Sequence, residues 1–429
     1  MNKNAFRLNP AKSSSPDVIY NKTIIDNGIR VISETIPYVR SVTIGFWVNV
    51  GSRDETFDLN GITHFLEHMV FKGTKKYSAS QIAKRIEAYG GYLNAFTGKE
   101  NTCFYGKVLD KHLDKAIDVI SELILAPLLK QKDIEKEKLV ILEELKNIED
   151  DPEDLINDVF DKSLYGDHSL GYPVVGRAKN IEQFLRSELT MYLQQHYIPK
   201  NIVVAAAGNV LHDELVRQVE KRFKNIGLGN GNVLERVTPK LSSKGKYIEE
   251  NKPIQQAHVS LGTHSFGIKS KYRYPLVVMN TLLGEGMSSR LFQNIREKYG
   301  FAYSIFSFVN LMGDCGNFGV YIGTNKENVK FSIELIQKEL LKLKNKQVSK
   351  AEIDRTKEQV KGSMMLSQES TTNRMMRLAT GEIYFNSFST LDEITGRIDT
   401  VTSDDVFEVA NKILDIDNFI TVVFSPTKN

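Results

Sequence analysis

The sequence predicts an α+β protein of two structurally similar domains, each a mainly antiparallel sheet with helices packed on one face. Three observations carry that prediction. The chain has 429 residues, more than one hydrophobic core ordinarily organises. Short runs of alternating apolar and polar residues are interspersed with stretches of helical period. The two halves also end alike: helical Ser187–Tyr197, a turn and the strand Ile202–Ala207 in one, helical Ser403–Leu414, a turn and the strand Phe419–Phe424 in the other. The matching asparagines of those turns, Asn201 and Asn418, are 217 residues apart, about half the chain.

Taken in order, Val42, Ile44, Phe46, Val48 and Val50 alternate as a strand with one inward face. Residues 61–70 form an apolar helix, for which Asn60 or Thr63 is the expected cap. Ala116–Leu125 and Asp133–Asn147 follow as helices, the second charged and amphipathic. Asn225–Lys246, rich in Gly, Asn, Ser and Lys, reads as a surface linker. Beyond it, Ala257, Val259 and Leu261 alternate as a strand, and Val329–Leu343 and Lys350–Met364 repeat the helix pair. The expected division is a flexible N-terminus at 1–19, a metal-binding domain at 20–225, a linker at 226–246 and a metal-free domain at 247–429.

Composition removes several functions. Hydrophobic residues are 41% and charged residues 25%, and the net charge of +3 comes with no long basic run, which argues against nucleic acid. Cys103 and Cys315 are too few for a disulfide framework, and no apolar run approaches the roughly 20 residues of a membrane span. The first residues lack the apolar centre of a secretory signal. The cytoplasm is the expected compartment, with a mitochondrial or related organelle matrix as the alternative.

The densest chemistry is His64-Phe65-Leu66-Glu67-His68. Histidines four apart lie one turn above each other on a helix, so both imidazoles reach one metal ion. Glu67 sits on nearly the same face, placed to take a proton from a water beside that metal. Such polar groups on an apolar helix are costly without a strong partner, and a metal is one. A third protein donor is then needed. On Asp133–Asn147, Glu137, Ile141 and Glu144 share a stripe, which suits one ligand and one supporting carboxylate. Spacing alone leaves open which glutamate ligates, or whether both are solvated.

These segments together resemble the inverzincin metallopeptidases of the pitrilysin type, in particular the short two-domain branch that includes the mitochondrial processing peptidase β subunit and bacterial relatives. GITHFLEHMVFKGT resembles the family's zinc helix and VILEEL its distal ligand segment, 76 residues on from His68 to Glu144. The resemblance implies one zinc per chain on His64, His68 and Glu144, with Glu67 as general base and Glu137 as a second glutamate needed for activity. GGYLNAFTGKENTCFYGKVL resembles the active-site edge strand, which implies that Asn94, Ala95 and Phe96 pair with an extended peptide. SSRLFQNIREKYGFAYSIFS resembles a C-terminal segment whose Arg and Tyr, here Arg296 and Tyr303, would bond substrate backbone and help stabilise the oxyanion. Asp154 and Asp158 fall where processing peptidases select a basic side chain; a solvated acidic loop is the other reading.

The resemblance implies a zinc endopeptidase working in a chamber between two chains, as a homodimer or as a heterodimer with a related chain. Its partner is a peptide, with no nucleic acid and no membrane. The alternative is a non-catalytic assembly subunit of the same fold. Leu282–Ser289 is only modestly glycine-rich, unlike the loop of non-catalytic partners, and the second half lacks His-x-x-Glu-His. A metal-dependent hydrolase of some other substrate fits the edge-strand segment poorly, since that device reads a polypeptide backbone.

Overall fold

The computed structural model describes residues 18–224, 226, 235–240 and 244–427. The N-terminal stretch 1–17 and part of the expected linker therefore lie outside the described residues. In chain order the first half runs β1 (Ile19–Ile24), β2 (Arg30–Thr35), β3 (Ser41–Val48), α1 (Ile62–Val70), α2 (Ala79–Glu87), β4 (Tyr92–Thr97), β5 (Thr102–Leu109), α3 (Leu113–Leu125), α4 (Gln131–Asp150), α5 (Pro152–Tyr165), α6 (Ala178–Gln183), α7 (Arg186–His196), β6 (Ile202–Gly208) and α8 (His212–Phe223). The second half runs β7 (Lys246–Lys252), β8 (Ala257–Phe266), α9 (Arg273–Gly284), a π-helical turn at Phe292–Glu297, β9 (Ala302–Leu311), β10 (Cys315–Thr324), α10 (Val329–Asn345), α11 (Lys350–Ser367), α12 (Thr371–Phe385), α13 (Leu391–Asp399), α14 (Ser403–Ile413) and β11 (Ile420–Pro426).

The fold is α+β, built as two compact units. The first contains a six-stranded sheet of order β1-β2-β6-β3-β5-β4, antiparallel except where β2 runs parallel to β6. The second contains a five-stranded sheet of order β7-β11-β8-β10-β9, antiparallel except where β7 runs parallel to β11. The strands β2-β6-β3-β5-β4 thus repeat as β7-β11-β8-β10-β9. The similar endings are a helix and the inserted strand that follows it, α7 and β6 in one half and α14 and β11 in the other.

The units do not coincide with the two halves. The first comprises residues 1–145, 172–236 and 367–392; the second comprises 146–171, 237–366 and 393–429. A single cut between 20–225 and 247–429 misassigns α5 to the first unit and α12 to the second. The physical reason lies in the sheets. Every residue of β3 after Ser41 is buried, so neither of its faces is open to solvent. Phe46 stacks on Phe223 of α8 at 5.7 Å. On the opposite face, Trp47, Cys103, Val203, Ala205 and Ala207 pack with Met375, Leu378 and Ala379 of α12. The indole N–H of Trp47 donates to Met375 Sδ at 3.3 Å, and Arg374 and Arg377 of α12 bond the fully buried Glu34 of β2. Alternation correctly marks β3 as a strand. It does not reveal that the second face is covered by a helix more than three hundred residues away.

The second unit repeats the arrangement. Val320 and Ile322 of β10 join α9, α10 and α14 in one core, while Tyr321 between them faces the other way. There it meets Ile156, Phe160 and Leu164 of α5, together with Val422 and Phe424 of β11. Each sheet is therefore covered on both faces, and the second cover always comes from the other half of the chain. Among the described residues no helix is long and apolar enough to cross a membrane.

Candidate metal centre

α1 exists because of what it buries. Ile62, Phe65, Leu66, Met69 and Val70 are all fully buried, so the helix is driven into the unit by its apolar side. Neither expected residue caps it. Gly61 is the N-cap, with φ of 101° in the left-handed region that favours glycine. The carboxylate of Glu55 accepts the N–H of Gly61 at 2.8 Å and that of Thr63 at 2.9 Å. Asn60 instead donates to Glu55 at 3.0 Å, and the Thr63 hydroxyl bonds Tyr192 Oη at 2.8 Å.

The spacing of four brings the two imidazoles together, with ring centroids 4.6 Å apart. α4 supplies the third group. Its buried stripe contains Ile134, Glu137 and Ile141, whereas Leu139, on the opposite face of the helix, is 70% exposed. Glu144, one turn beyond Ile141, places Oε1 3.6 Å from His64 Nε2 and Oε2 3.4 Å from His68 Nε2. A nitrogen or oxygen from each of the three residues lies within 4.8 Å of the others.

This donor set fits zinc. Two imidazole nitrogens and a carboxylate oxygen are the ligands of a catalytic zinc with one open position. Ligands about 2.0–2.1 Å from a tetrahedral ion stand about 3.4 Å apart, close to the two nitrogen–oxygen separations to Glu144. Burial and the charge of His68 press His64 down to about 4, so it stays neutral and ready to ligate. His68 is raised to about 9: burial opposes its charge, but hydrogen bonds to Glu137 and Glu144 outweigh that. In the metal-free chain a proton thus occupies the site where a cation would sit.

The surroundings orient these groups. His68 Nδ1 bonds Glu137 Oε1 at 3.0 Å, which fixes the ring and turns Nε2 toward Glu144. Lys72 Nζ holds the other oxygen of Glu137 at 2.6 Å. The hydroxyl of Thr97, the last residue of β4, donates to Glu67 Oε2 at 2.6 Å. Burial raises the Glu67 carboxyl above the ordinary range, more than the Thr97 bond lowers it. Lys72 and Thr97 are not apparent from the sequence. Lys72 had a signal, four residues after His68; Thr97 had none, since its contact crosses from strand to helix.

Asn94, Ala95 and Phe96 lie on β4, the edge strand of the first sheet, which among the described residues pairs only with β5. Asn94 is exposed and its side chain accepts the N–H of Ala95 at 2.9 Å. The remaining candidates belong to the second unit. Arg296 is exposed in the π-helical turn, its guanidinium 4.8 Å from the Phe292 ring, and Tyr303 is 55% exposed on β9, the edge strand of that sheet. Asp154 is exposed in the first turn of α5, where Asp151 caps its N–H and the helix dipole favours an acid; Asp158 lies one turn on and is half-buried.

Comparison with known proteins places the chain in a family. Residues 30–178 match the family model described as insulinase (peptidase family M16), and residues 184–360 match that of the peptidase M16 inactive domain. An uncharacterized zinc protease of Streptomyces coelicolor is 40% identical over 92% of this chain and 87% of its own length. The uncharacterized zinc protease YmxG of Bacillus subtilis is 40% identical over 94% of this chain and 97% of its own. Among solved structures, a protease from Helicobacter pylori shares the fold with a TM-score of 0.88 at 24% identity, covering 95% of this chain and 99% of that one.

Proposed function

This chain belongs to peptidase family M16, and from that footing we propose that it is a zinc-dependent endopeptidase of extended peptides. The observation that carries the reading is the convergence of His64, His68 and Glu144 beside Glu67. His64, His68 and Glu144 would hold the ion, one per chain. When bound, zinc supplies an acidified water and polarises the scissile carbonyl. Thr97 ties up Oε2 of Glu67, leaving Oε1 to take the water's proton and pass it to the leaving amine. The raised carboxyl of Glu67 suits a group that must both accept and return a proton.

The substrate enters as an added strand. Among the described residues β4 has no partner on its outer edge and lies beside α1, so a peptide pairing with Asn94–Phe96 is delivered to Glu67 by strand geometry. Arg296 and Tyr303 supply further backbone and oxyanion contacts, and Asp154 and Asp158 a preference for basic side chains. The chain works as a dimer, homodimeric or with a related chain, in the cytoplasm. The non-catalytic alternative is disfavoured because the full ligand set and the base are intact.

The test is zinc content per chain and cleavage of a quenched peptide. Glu67→Gln lowers the rate by about a hundredfold to ten-thousandfold while keeping zinc. Full activity in that variant ends the reading.

A further inference from the structure

Three consecutive side chains before the zinc helix are buried, charged and aimed at different elements. Arg53 is 5% exposed and its guanidinium meets Glu100 Oε1 at 2.6 Å. Asp54 takes a two-pronged bond from Arg236, 2.8 Å on each side, and accepts the Gly51 N–H at 2.9 Å. Glu55 is 4% exposed and receives the start of α1 through Gly61, Thr63 and Asn60.

The same stretch also grips the turn that follows β4. The N–H of Ser52 donates to Gly98 O at 3.1 Å and that of Arg53 to Lys99 O at 2.7 Å. A side chain on Gly51 would come within 2.4 Å of Gly98 O, so glycine is required for that approach. Glu100, in this turn, is bonded by Arg53 and at 2.8 Å by Tyr384 Oη. α1 and β4 are therefore tied at two ends. One tie is Thr97 on Glu67; the other is the stretch Ser52–Glu55.

We propose that Ser52–Glu55 is a positioning clamp that sets the first turn of the zinc helix against the turn ending the peptide-pairing strand, so that ligands, base and substrate edge keep one register. The proposal rests on the zinc-peptidase reading and adds to it residues that touch neither metal nor substrate. Helix stability alone would not require this construction. An exposed Ser, Thr or Asp caps a helix without burying a carboxylate. Here burial pushes the Glu55 carboxyl up to about 7 despite its donors. What the buried carboxylate adds is a fixed origin: Thr63, whose N–H it holds, immediately precedes His64.

The experiment uses the full chain. Zinc affinity is measured by chelator competition on the metal-free protein, and kcat and KM on a quenched peptide, for the parent, Glu55→Gln and Glu100→Gln. Glu55→Gln places an amide N–H₂ against one of the helix donors and weakens zinc binding about tenfold or more, with KM within about twofold. Glu100→Gln frees the β4–β5 turn, raises KM about tenfold and leaves zinc affinity within about twofold. If Glu55→Gln does not fold, Asn60→Ala, which removes the side-chain amide donor to Glu55, weakens zinc binding about threefold. Folded variants whose zinc affinity and KM both match the parent overturn the clamp, whatever their melting temperatures. A parent that binds no zinc and cleaves no peptide overturns the peptidase reading, and the clamp with it.

Discussion

The two units carry the same strand order and differ in what lies between equivalent strands. Between β3 and β4 the first unit places α1 and α2; between β8 and β9 the second places α9 and a π-helical turn. α1 presents a buried histidine, His64, with the half-buried Glu67 and His68 beside it. α9 brings Leu276, Val278, Met279, Leu282 and Leu283, all buried. The helices after the sheets differ in the same sense. α4 turns Glu137 and Glu144 toward the histidines, whereas α11 uses Glu352 in a two-pronged pair with Arg290, 2.8 Å on each side. The donor set for a metal is thus a local change on a shared frame. It needs two helices to change together, because ligands on one without carboxylates on the other would leave buried polar groups unmatched.

The most severe way to break the comparison is to separate the halves. If each half were a unit, residues 18–236 would fold alone. They lack α12, so Trp47, Val203, Ala205 and Ala207 would face water, and they carry α5 without the sheet that buries Ile156 and Phe160. We expect this fragment to be insoluble or to lack a cooperative transition by calorimetry, and co-expression with residues 237–427 to restore one.

Within the first unit, removal of the carboxylate from α4 comes next. Glu144→Gln trades a charged ligand for a neutral amide and should weaken zinc binding more than about a hundredfold. No change in the second unit should do so: Leu276→Ala destabilises the fold by about 2–5 kcal/mol and leaves zinc affinity untouched. Zinc titration of both variants checks the contrast, and zinc loss in Leu276→Ala would show that the metal centre is not confined to one unit.

How much of this was legible in the sequence follows the range of each interaction. The histidine pair was readable because its geometry is set within one helical turn. The stripe of Glu137, Ile141 and Glu144 was readable by the same period, but not which glutamate faces the imidazole nitrogens, since that depends on how α4 lies across α1. Strand alternation located β3 and β8. It could not show the helix on the second face, because nothing local in β3 records α12. The cap of α1 was misread for a related reason: Glu55 is six residues before Gly61 and reaches back through a loop, outside any local capping pattern. Local chemistry was visible, and apart from Glu137 the residues that aim it were not.

A smaller effect separates support from ligation. Glu137→Gln keeps all three ligands but replaces the acceptor at His68 Nδ1 with a neutral group, and it leaves Lys72 with no carboxylate at that position. Zinc binding should weaken about tenfold to a hundredfold, less than for Glu144→Gln. Equal losses in the two variants would mean that Glu137 itself reaches the ion.

The mildest expected effect is graded by pH. His68 is raised to about 9, and in the metal-free chain its proton must leave before Nε2 can ligate. His64, pressed down to about 4, is already free of its proton at neutral pH. Only one proton is displaced on binding between pH 5 and 8. Apparent zinc affinity should therefore rise about tenfold per pH unit across that window and flatten near pH 9. The sign for folding is opposite: a histidine raised in the folded state contributes stability below its ordinary value near 6.5, and that contribution is lost as the pH climbs toward 9. The metal-free chain should accordingly lose melting temperature between pH 6.5 and 9, while the zinc-loaded chain gains affinity over the same range. In Glu137→Gln one of the two raising partners is gone and Glu144 remains, so the flattening should move to lower pH. Calorimetric titration of zinc at several pH values measures both, and a slope of two protons per ion would show that His64 is protonated as well.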